Sequence, residues 1–387
     1  MLVVGCFVSI AGASEPLQRP LPGLSVQQGQ LLLQGKLYRG IGVNYFSLFY
    51  RTLKDPADTS YEQGLAQLSQ AGIPFVRFMA GGFWPVDWEL YLNDRDAYFK
   101  QMDCVVTCAE TNQIGLIPSL FWNMATVPDI VGEHMDQLGN PASKAIAFIR
   151  TYTREMVTRY RESPAIWGWE LGNEYNLAVD LPNAAQHRPP VWPNLKTALT
   201  RTARDELSSE AMLTLYKEFA KTIRTYDNHR ILITGNSIPR PSAYHNSKEK
   251  SWQKDTREQF HEILLRDNPD PYHVISVHVY PRVKSEYSAC ASNLTDLLKT
   301  LHSMASIAEK PLFVGEFGVP VQPDRSKERK LFRELIRAIE SSRIPLAALW
   351  VFDHPGQNAD WNISFGNERS YMLEWLGKEN NGMRFVK

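Results

Sequence analysis

The 387-residue chain is 43% hydrophobic with no long low-complexity tract, so it can bury a large core, which excludes a disordered or fibrous protein. Lys plus Arg and Asp plus Glu balance at 42 each, so no net field draws the chain to nucleic acid or to an acidic membrane surface, and a neutral or weakly charged ligand fits better. Aromatic residues make up 11%, including ten Trp, enough both to fill a core and to stack on a ligand.

In chain order, residues 1–13 read as a signal peptide: an apolar run over 2–10 is followed by Ala11-Gly12-Ala13, and the run is too short to span a bilayer. A basic n-region is missing, and Val3-Val4-Gly5-Cys6 resembles a bacterial lipobox. The expectation is therefore a secreted or periplasmic protein, with a lipid-anchored form as the alternative. Residues 14–387 are expected to form one domain and a monomer, with the segment before Leu31 an extended leader or a lid over one end. Cys104, Cys108 and Cys290 are three in number and not at zinc-site spacing, so they imply no disulfide framework.

From there, short apolar runs at 38–43, 74–78, 115–120, 166–171, 231–234, 273–279, 312–316 and 347–351 read as strands. Amphipathic stretches at 60–71, 96–111, 143–160, 205–226, 248–265, 294–308 and 326–341 read as helices between them, with Asp205 as the N-cap of the fourth. Eight strands alternating with helices predict an α/β fold, a (β/α)8 TIM barrel with enlarged loops at the catalytic face. An open doubly wound sheet is the competitor, but no glycine-rich phosphate fingerprint follows the first strand. Insertions at 177–204 and 356–369 are expected to project from the rim where such barrels keep their sites.

Strand ends in this fold carry chemistry, and five of them end in polar or aromatic groups. They supply Arg77, then Asn173 and Glu174, then His278 and Tyr280, then Glu316, then Trp350. Glu174 and Glu316 come from the fourth and seventh strands, which face each other across a barrel mouth. Breaking an acetal needs one carboxyl to protonate the leaving oxygen and a second to attack or stabilise the anomeric carbon. A retaining mechanism sets them about 5–5.5 Å apart. Either Glu alone is equally well read as half of an ion pair. His278 suits a hydrogen-bonding partner better than a metal ligand. No second and third ligand stand at metal spacing, and no cofactor is implied.

The run Trp-Glu-Leu-Gly-Asn-Glu at 169–174 with Gly-Glu-Phe-Gly at 315–318 resembles glycoside hydrolase family 5, in clan A of the retaining β-glycosidases, over about residues 39–352. The resemblance implies Glu174 as general acid/base, Glu316 as nucleophile, and Asn173 binding the hydroxyl next to the reacting carbon. It also implies that Arg77, His278 and Tyr280 support the carboxylates and that Trp350 forms the aromatic floor. The implied partner is a carbohydrate, a β-mannan or β-glucan type polysaccharide or its oligosaccharides. Two departures weaken a plain cellulase reading: Tyr175 replaces the usual Pro after Asn-Glu, and the third strand ends in Leu120-Phe121-Trp122-Asn123 without a His motif. Trp122 and Asn123 are candidate sugar-wall residues, with Tyr45, Phe83, Trp84 and Trp88 as further platforms that core packing would explain equally well. A transglycosylase using the same covalent intermediate and a non-catalytic carbohydrate-binding barrel are the alternative readings.

Overall fold

The computed structural model describes residues 21–281, 287 and 290–383, so the signal-like segment 1–13 with Cys6 lies outside the described residues. The first described elements form a small antiparallel sheet of β1 (Leu24–Gln27), β2 (Gln30–Leu33) and β3 (Lys36–Leu37). Its buried face seats Leu24 and Leu31 on an apolar plug that includes Phe75, Ile117, Trp167, Val274 and Phe313. The N–H of Leu24 donates to Trp167 O at 2.8 Å. Residues 24–33 thus form a hairpin that lids one barrel end; what precedes residue 21 lies outside the described residues.

Eight parallel strands follow: β4 (Gly40–Asn44), β5 (Phe75–Met79), β6 (Gly115–Phe121), β7 (Gly168–Gly172), β8 (Ile231–Ile233), β9 (Ile275–Val279), β10 (Leu312–Phe317) and β11 (Leu346–Leu349). They pair in the order β8-β7-β6-β5-β4-β11-β10-β9. Each predicted run meets its strand within two residues at either end. The seam between β8 and β9 is stitched by side chains instead of a ladder. Asn268 Oδ1 accepts from Ser276 N–H and from Thr234 Oγ1, both at 2.9 Å, and Ser276 Oγ donates to Asn236 O at 3.1 Å. All are buried, so their polar atoms need these partners.

Each strand leads to an outer helix, which completes the (β/α)8 barrel. Helices α1 (Tyr50–Lys54) and α2 (Ser60–Gln70) follow β4, α3 (Glu89–Asn93) and α4 (Arg95–Thr111) follow β5, and α5 (Thr126–Val131) and α6 (Lys144–Tyr160) follow β6. Next come α7 (Ser209–Tyr226), α8 (Ala243–Glu249), α9 (Arg257–Arg266), α10 (Leu294–Ile307), α11 (Arg325–Ser341) and α12 (Ser370–Met383). Local chemistry explains α11: Asp324 accepts from the N–H groups of Ser326 and Lys327 at 2.8 and 3.3 Å, and Phe332, Leu335, Ile336 and Ile339 form one buried stripe.

Two helix expectations need correction. The helix assigned to 205–226 begins at Ser209, capped by Ser208, whose hydroxyl accepts from Ala211 N–H. Asp205 instead turns inward, accepting from Thr202 N–H at 2.8 Å and facing His134 Nδ1 at 3.0 Å. The stretch 248–265 is two helices. Lys250 adopts φ 53° after the first, and Thr256 and Gln259 exchange a capping box that starts the second, at 2.8 and 3.3 Å. The last helix was not anticipated: Asn380 on α12 pairs with both N–H and C=O of Ile41 at 2.8 Å, tying the end of the chain to the first barrel strand. Cys104, Cys108 and Cys290 are free thiols. No described helix is long and apolar enough to cross a membrane.

Candidate active site

The inward-facing positions of the strands change character toward their C-terminal ends. On β5, Arg77 is fully buried and its guanidinium is shared among four groups. Nε donates to both oxygens of Glu170 at 2.8 and 2.9 Å, and one terminal nitrogen donates to Asn44 Oδ1 and Glu316 Oε1, each at 2.9 Å. The other reaches Asn173 Oδ1 at 2.8 Å. Because a guanidinium only donates, the amide of Asn173 must turn its oxygen toward Arg77, which leaves its Nδ2 hydrogens for the cleft. Glu170 is accordingly an interior structural carboxylate.

A local irregularity aims Glu316. Its strand slips register against β9 between Val314 and Glu316. With strict alternation from Phe313, which faces the inner plug, Gly315 would point inward and Glu316 outward; the bulge reverses this. The bulged residue has to be small, since a Cβ on Gly315 would lie 3.0 Å from His278 Nε2. Glu174 lies just past β7 with φ 54° and ψ 30°, a left-handed conformation that costs a non-glycine residue roughly 1 kcal/mol or more. Its N–H is held by Gly235 O at 2.9 Å. Gly235 has φ +77°, and a Cβ there would fall 1.8 Å from Gly172 O, so only glycine permits this approach. Tyr175, where the usual Pro is missing, is buried and donates its hydroxyl to Phe121 O at 2.6 Å, locking the ends of β6 and β7 together.

The two carboxyls face each other. Donor atoms of Glu174, His278 and Glu316 lie within 4.8 Å of one another. His278 Nδ1 is 2.9 Å from Glu174 Oε1 and 3.6 Å from Glu316 Oε1, and Tyr280 donates its hydroxyl to Glu316 Oε2 at 2.6 Å. Among the described residues His278 Nε2 has no hydrogen-bond partner, and Nδ1 is the ring nitrogen that faces the carboxyls, to which an N–H there can donate. The Arg77 guanidinium 2.9 Å from Glu316 would repel a metal ion, so this triad suits a cation poorly.

Burial pushes the Glu316 carboxyl above the usual carboxylate range, and the charge of Glu174 adds to the rise, against the pull of His278, Arg77 and Tyr280. For Glu174 burial also acts upward, but the His278 hydrogen bond and charge, with Ser237 and Arg77, hold it below that range. The two environments therefore push the groups apart, with Glu174 the more acidic.

Around the pair lies a cavity of 310 Å³ lined by Asn173, Glu174, Tyr280 and Glu316 and by the rings of Phe46, Phe83, Trp122, Trp350, His354 and Trp361, with Gln357. The floor is aromatic: Trp350 and Trp122 sit 6.0 Å apart with planes 32° from parallel, and Phe46 meets Trp122 edge-on at 5.1 Å. Trp350 is fixed through Nε1 to Gln357 Oε1 at 3.0 Å, and Trp122 lies over the Arg77 guanidinium at 4.5 Å. Of the sequence candidates, Arg77, Asn173, Glu174, His278, Tyr280, Glu316, Trp350 and Trp122 come together here. Asn123 does not line the cleft. Its amide donates to Phe83 O at 3.2 Å and accepts from Ala125 N–H at 3.1 Å, work that shapes the loop before α5. Tyr45 and Trp88 are core residues, and only Phe83 of the suggested platforms lines the cleft directly.

Sequence reasoning missed Asn44, Phe46, Ser237, His354, Gln357 and Trp361. Gln357 and Trp361 belong to the 356–369 insertion, which walls the cleft as expected, with Trp361 edge-on to Tyr280 at 5.1 Å. Asn44, whose Nδ2 donates to Gly315 O at 2.9 Å, closes the first barrel strand and was legible by the strand-end logic used for the others.

A relative described as probable mannan endo-1,4-beta-mannosidase C of Aspergillus terreus is 29% identical over 176 residues, 38% of this chain and 42% of that protein. A probable mannan endo-1,4-beta-mannosidase A of Aspergillus flavus is 26% identical over 190 residues, 42% of this chain and 48% of that protein. The chain thus spans less than half the length of these curated relatives. Among solved structures, the endo-1,4-beta-mannanase of Rhizomucor miehei superposes with a TM-score of 0.67 at 16% identity, over 94% of this chain and 100% of that one, which establishes the shared barrel. Residues 39–353 match the family described as Cellulase (glycosyl hydrolase family 5), and the chain belongs to that family.

Proposed function

We propose that the protein is a retaining β-glycoside hydrolase acting on a β-mannan type polysaccharide or its oligosaccharides, with Glu174 as general acid/base and Glu316 as nucleophile. The observation that carries this reading is the approach of the two carboxyls. One oxygen of each carboxyl lies within 4.8 Å of the other, which fits the close pair of a retaining enzyme, about 5–5.5 Å apart, better than the wider pair of an inverting one, about 6.5–9.5 Å. The relatives' names support mannan over other glycans. We also read the chain as an exported monomer of one domain.

In the first step Glu174 gives its proton to the glycosidic oxygen while a Glu316 oxygen bonds to the anomeric carbon, forming a glycosyl ester and releasing the alcohol. In the second, Glu174 takes a proton from water, whose oxygen displaces Glu316, so the configuration is retained and both carboxyls return to their starting states. The proton has to sit on Glu174 when substrate binds. Glu174 is 31% exposed and Glu316 only 6%, so a sugar covering the cleft strips water mainly from Glu174 and raises its proton affinity. Glu316 meanwhile keeps Arg77 and Tyr280, which favour its ionised form. Asn173 Nδ2 faces the hydroxyl beside the reacting carbon, and Trp350 offers its face to the ring.

Hydrolysis of β-mannan, β-glucan, xylan and aryl β-glycosides by the purified protein tests the substrate, with β-mannan expected to be preferred. Glu316→Ala is expected to cut turnover by about 10³-fold or more, with azide restoring activity and giving a product of inverted configuration. Normal turnover in Glu316→Ala, or an inverted product from the unaltered protein, would overturn the assignment.

A further inference from the structure

The 177–204 insertion, expected to project from the rim, contributes no side chain to the lining of the 310 Å³ cavity. It runs outward over the loops after β5 and β6 and is moored there by buried and charged contacts. Arg201 makes a bidentate pair with Asp129, two bonds of 2.7 Å with both side chains almost buried, and Lys196 pairs with Glu89. Just before these moorings a short turn holds Trp192, whose N–H donates to the buried Thr197 Oγ1 at 2.7 Å. The turn is fixed, yet the Trp192 side chain stays 46% exposed. A large ring kept in water by an ordered segment gains little for the fold, so its placement calls for a partner.

The partner is indicated by what the ring touches. Trp192 meets Trp84 at 4.8 Å with planes at 61°, so the two indoles form an open corner. Trp84 in turn contacts Phe83 at 4.8 Å, Phe83 contacts Phe46 at 6.1 Å, and Phe46 contacts Trp122 and Trp350 in the floor at 5.1 and 6.2 Å. An unbroken row of rings therefore leaves the cleft and ends on the insertion, while Trp84 and Trp192 lie beyond the 310 Å³ cavity.

We propose that the Trp84–Trp192 corner is a distal sugar subsite, which stacks on a pyranose of the same glycan whose reacting unit lies between Glu174 and Glu316, and which makes the enzyme select longer chains. This rests on the functional reading above. The occupant is an uncharged hexose because the indole faces offer apolar surface to its C–H face, and the ring ladder gives a chain a continuous track.

The test uses the full-length protein and β-1,4-mannooligosaccharides of increasing length. For each variant kcat/KM is measured along the series, and binding is measured by calorimetry in the inactive Glu316→Ala background. In the unaltered protein kcat/KM and affinity are expected to climb with length. Trp192→Ala is expected to reduce the long-to-short ratio of kcat/KM about tenfold and to remove the last increment in affinity, while Trp192→Phe retains part of both. Leu199→Ala, an exposed apolar residue of the same insertion away from the corner, should keep the unaltered ratio. A thermal melt of each variant separates loss of mooring from loss of stacking. An unchanged ratio in a folded Trp192→Ala protein, with mannooligosaccharides still cleaved, overturns the subsite and leaves the hydrolase reading intact. Absence of cleavage and of binding in the unaltered protein overturns that reading itself.

Discussion

Two residues apart on one strand, Phe75 and Arg77 both point into the barrel and both are fully buried, yet they belong to opposite ends of it. Phe75 joins the plug sealed by Leu24 and Leu31, where the interior is held by close-packed apolar side chains. Arg77 bonds to Glu170, Asn44, Glu316 and Asn173, and nothing of its charge reaches water except through the cleft. The same step recurs from Ile117 to Ser119 on β6 and from Val274, just before β9, through Ser276 to His278 on that strand. One end of the barrel thus stabilises the fold by burying apolar area, which is cheap to desolvate. The other carries buried charge whose desolvation is offset only by near-complete pairing, and its value is to hold two carboxyls in place.

The largest effect expected from breaking this contrast is at Arg77. Arg77→Met strands Glu170 in the interior, and we expect a loss of about 3–5 kcal/mol in stability with turnover down about 10²-fold or more. Adding Glu170→Met should restore most of the stability and none of the turnover, because an apolar pair packs the interior but orients no carboxylate. Denaturant unfolding and kcat on β-mannan measure both, and recovery of activity in the double variant would contradict the division of labour. At the other end, Leu31→Ala is expected to cost about 2–4 kcal/mol in the same unfolding measurement while kcat/KM of the folded protein stays unaltered.

A smaller and sharper effect is expected at Tyr280. Its O–H favours the ionised form of Glu316, which is the form that attacks in the proposed mechanism, so activity is expected to be lost as pH falls through the Glu316 pKa. Removing the donor with Tyr280→Phe raises that pKa, and the acid limb of the kcat/KM profile should move to higher pH. A limb that moves to lower pH, or not at all, would show that Tyr280 does not act through Glu316.

Much of the site was legible because strand ends in an alternating β/α chain converge on one rim, so Arg77, Asn173, Glu174, His278, Tyr280, Glu316 and Trp350 could be gathered from their order alone. Residues whose work depends on what a loop folds against were not. Asn123 shapes its own loop, Trp361 reaches the cleft only through the path of its insertion, and the 177–204 insertion turned away from the cleft because Arg201 and Lys196 found partners on other loops. Asp205 looked like a helix cap because the residue type suits one, and the chain used it one turn too early for that.

By itself the sequence determined the strand and helix alternation, the family and the identity of the paired carboxyls, since these follow from local periodicity and from motifs that need no neighbours. Only the tertiary structure decided which way those carboxyls point. Glu316 faces the cleft through a register slip at Gly315, and Glu174 through a left-handed backbone held by Gly235. Side-chain direction on a strand follows from pairing with the adjacent strand, and that pairing joins residues far apart in the chain.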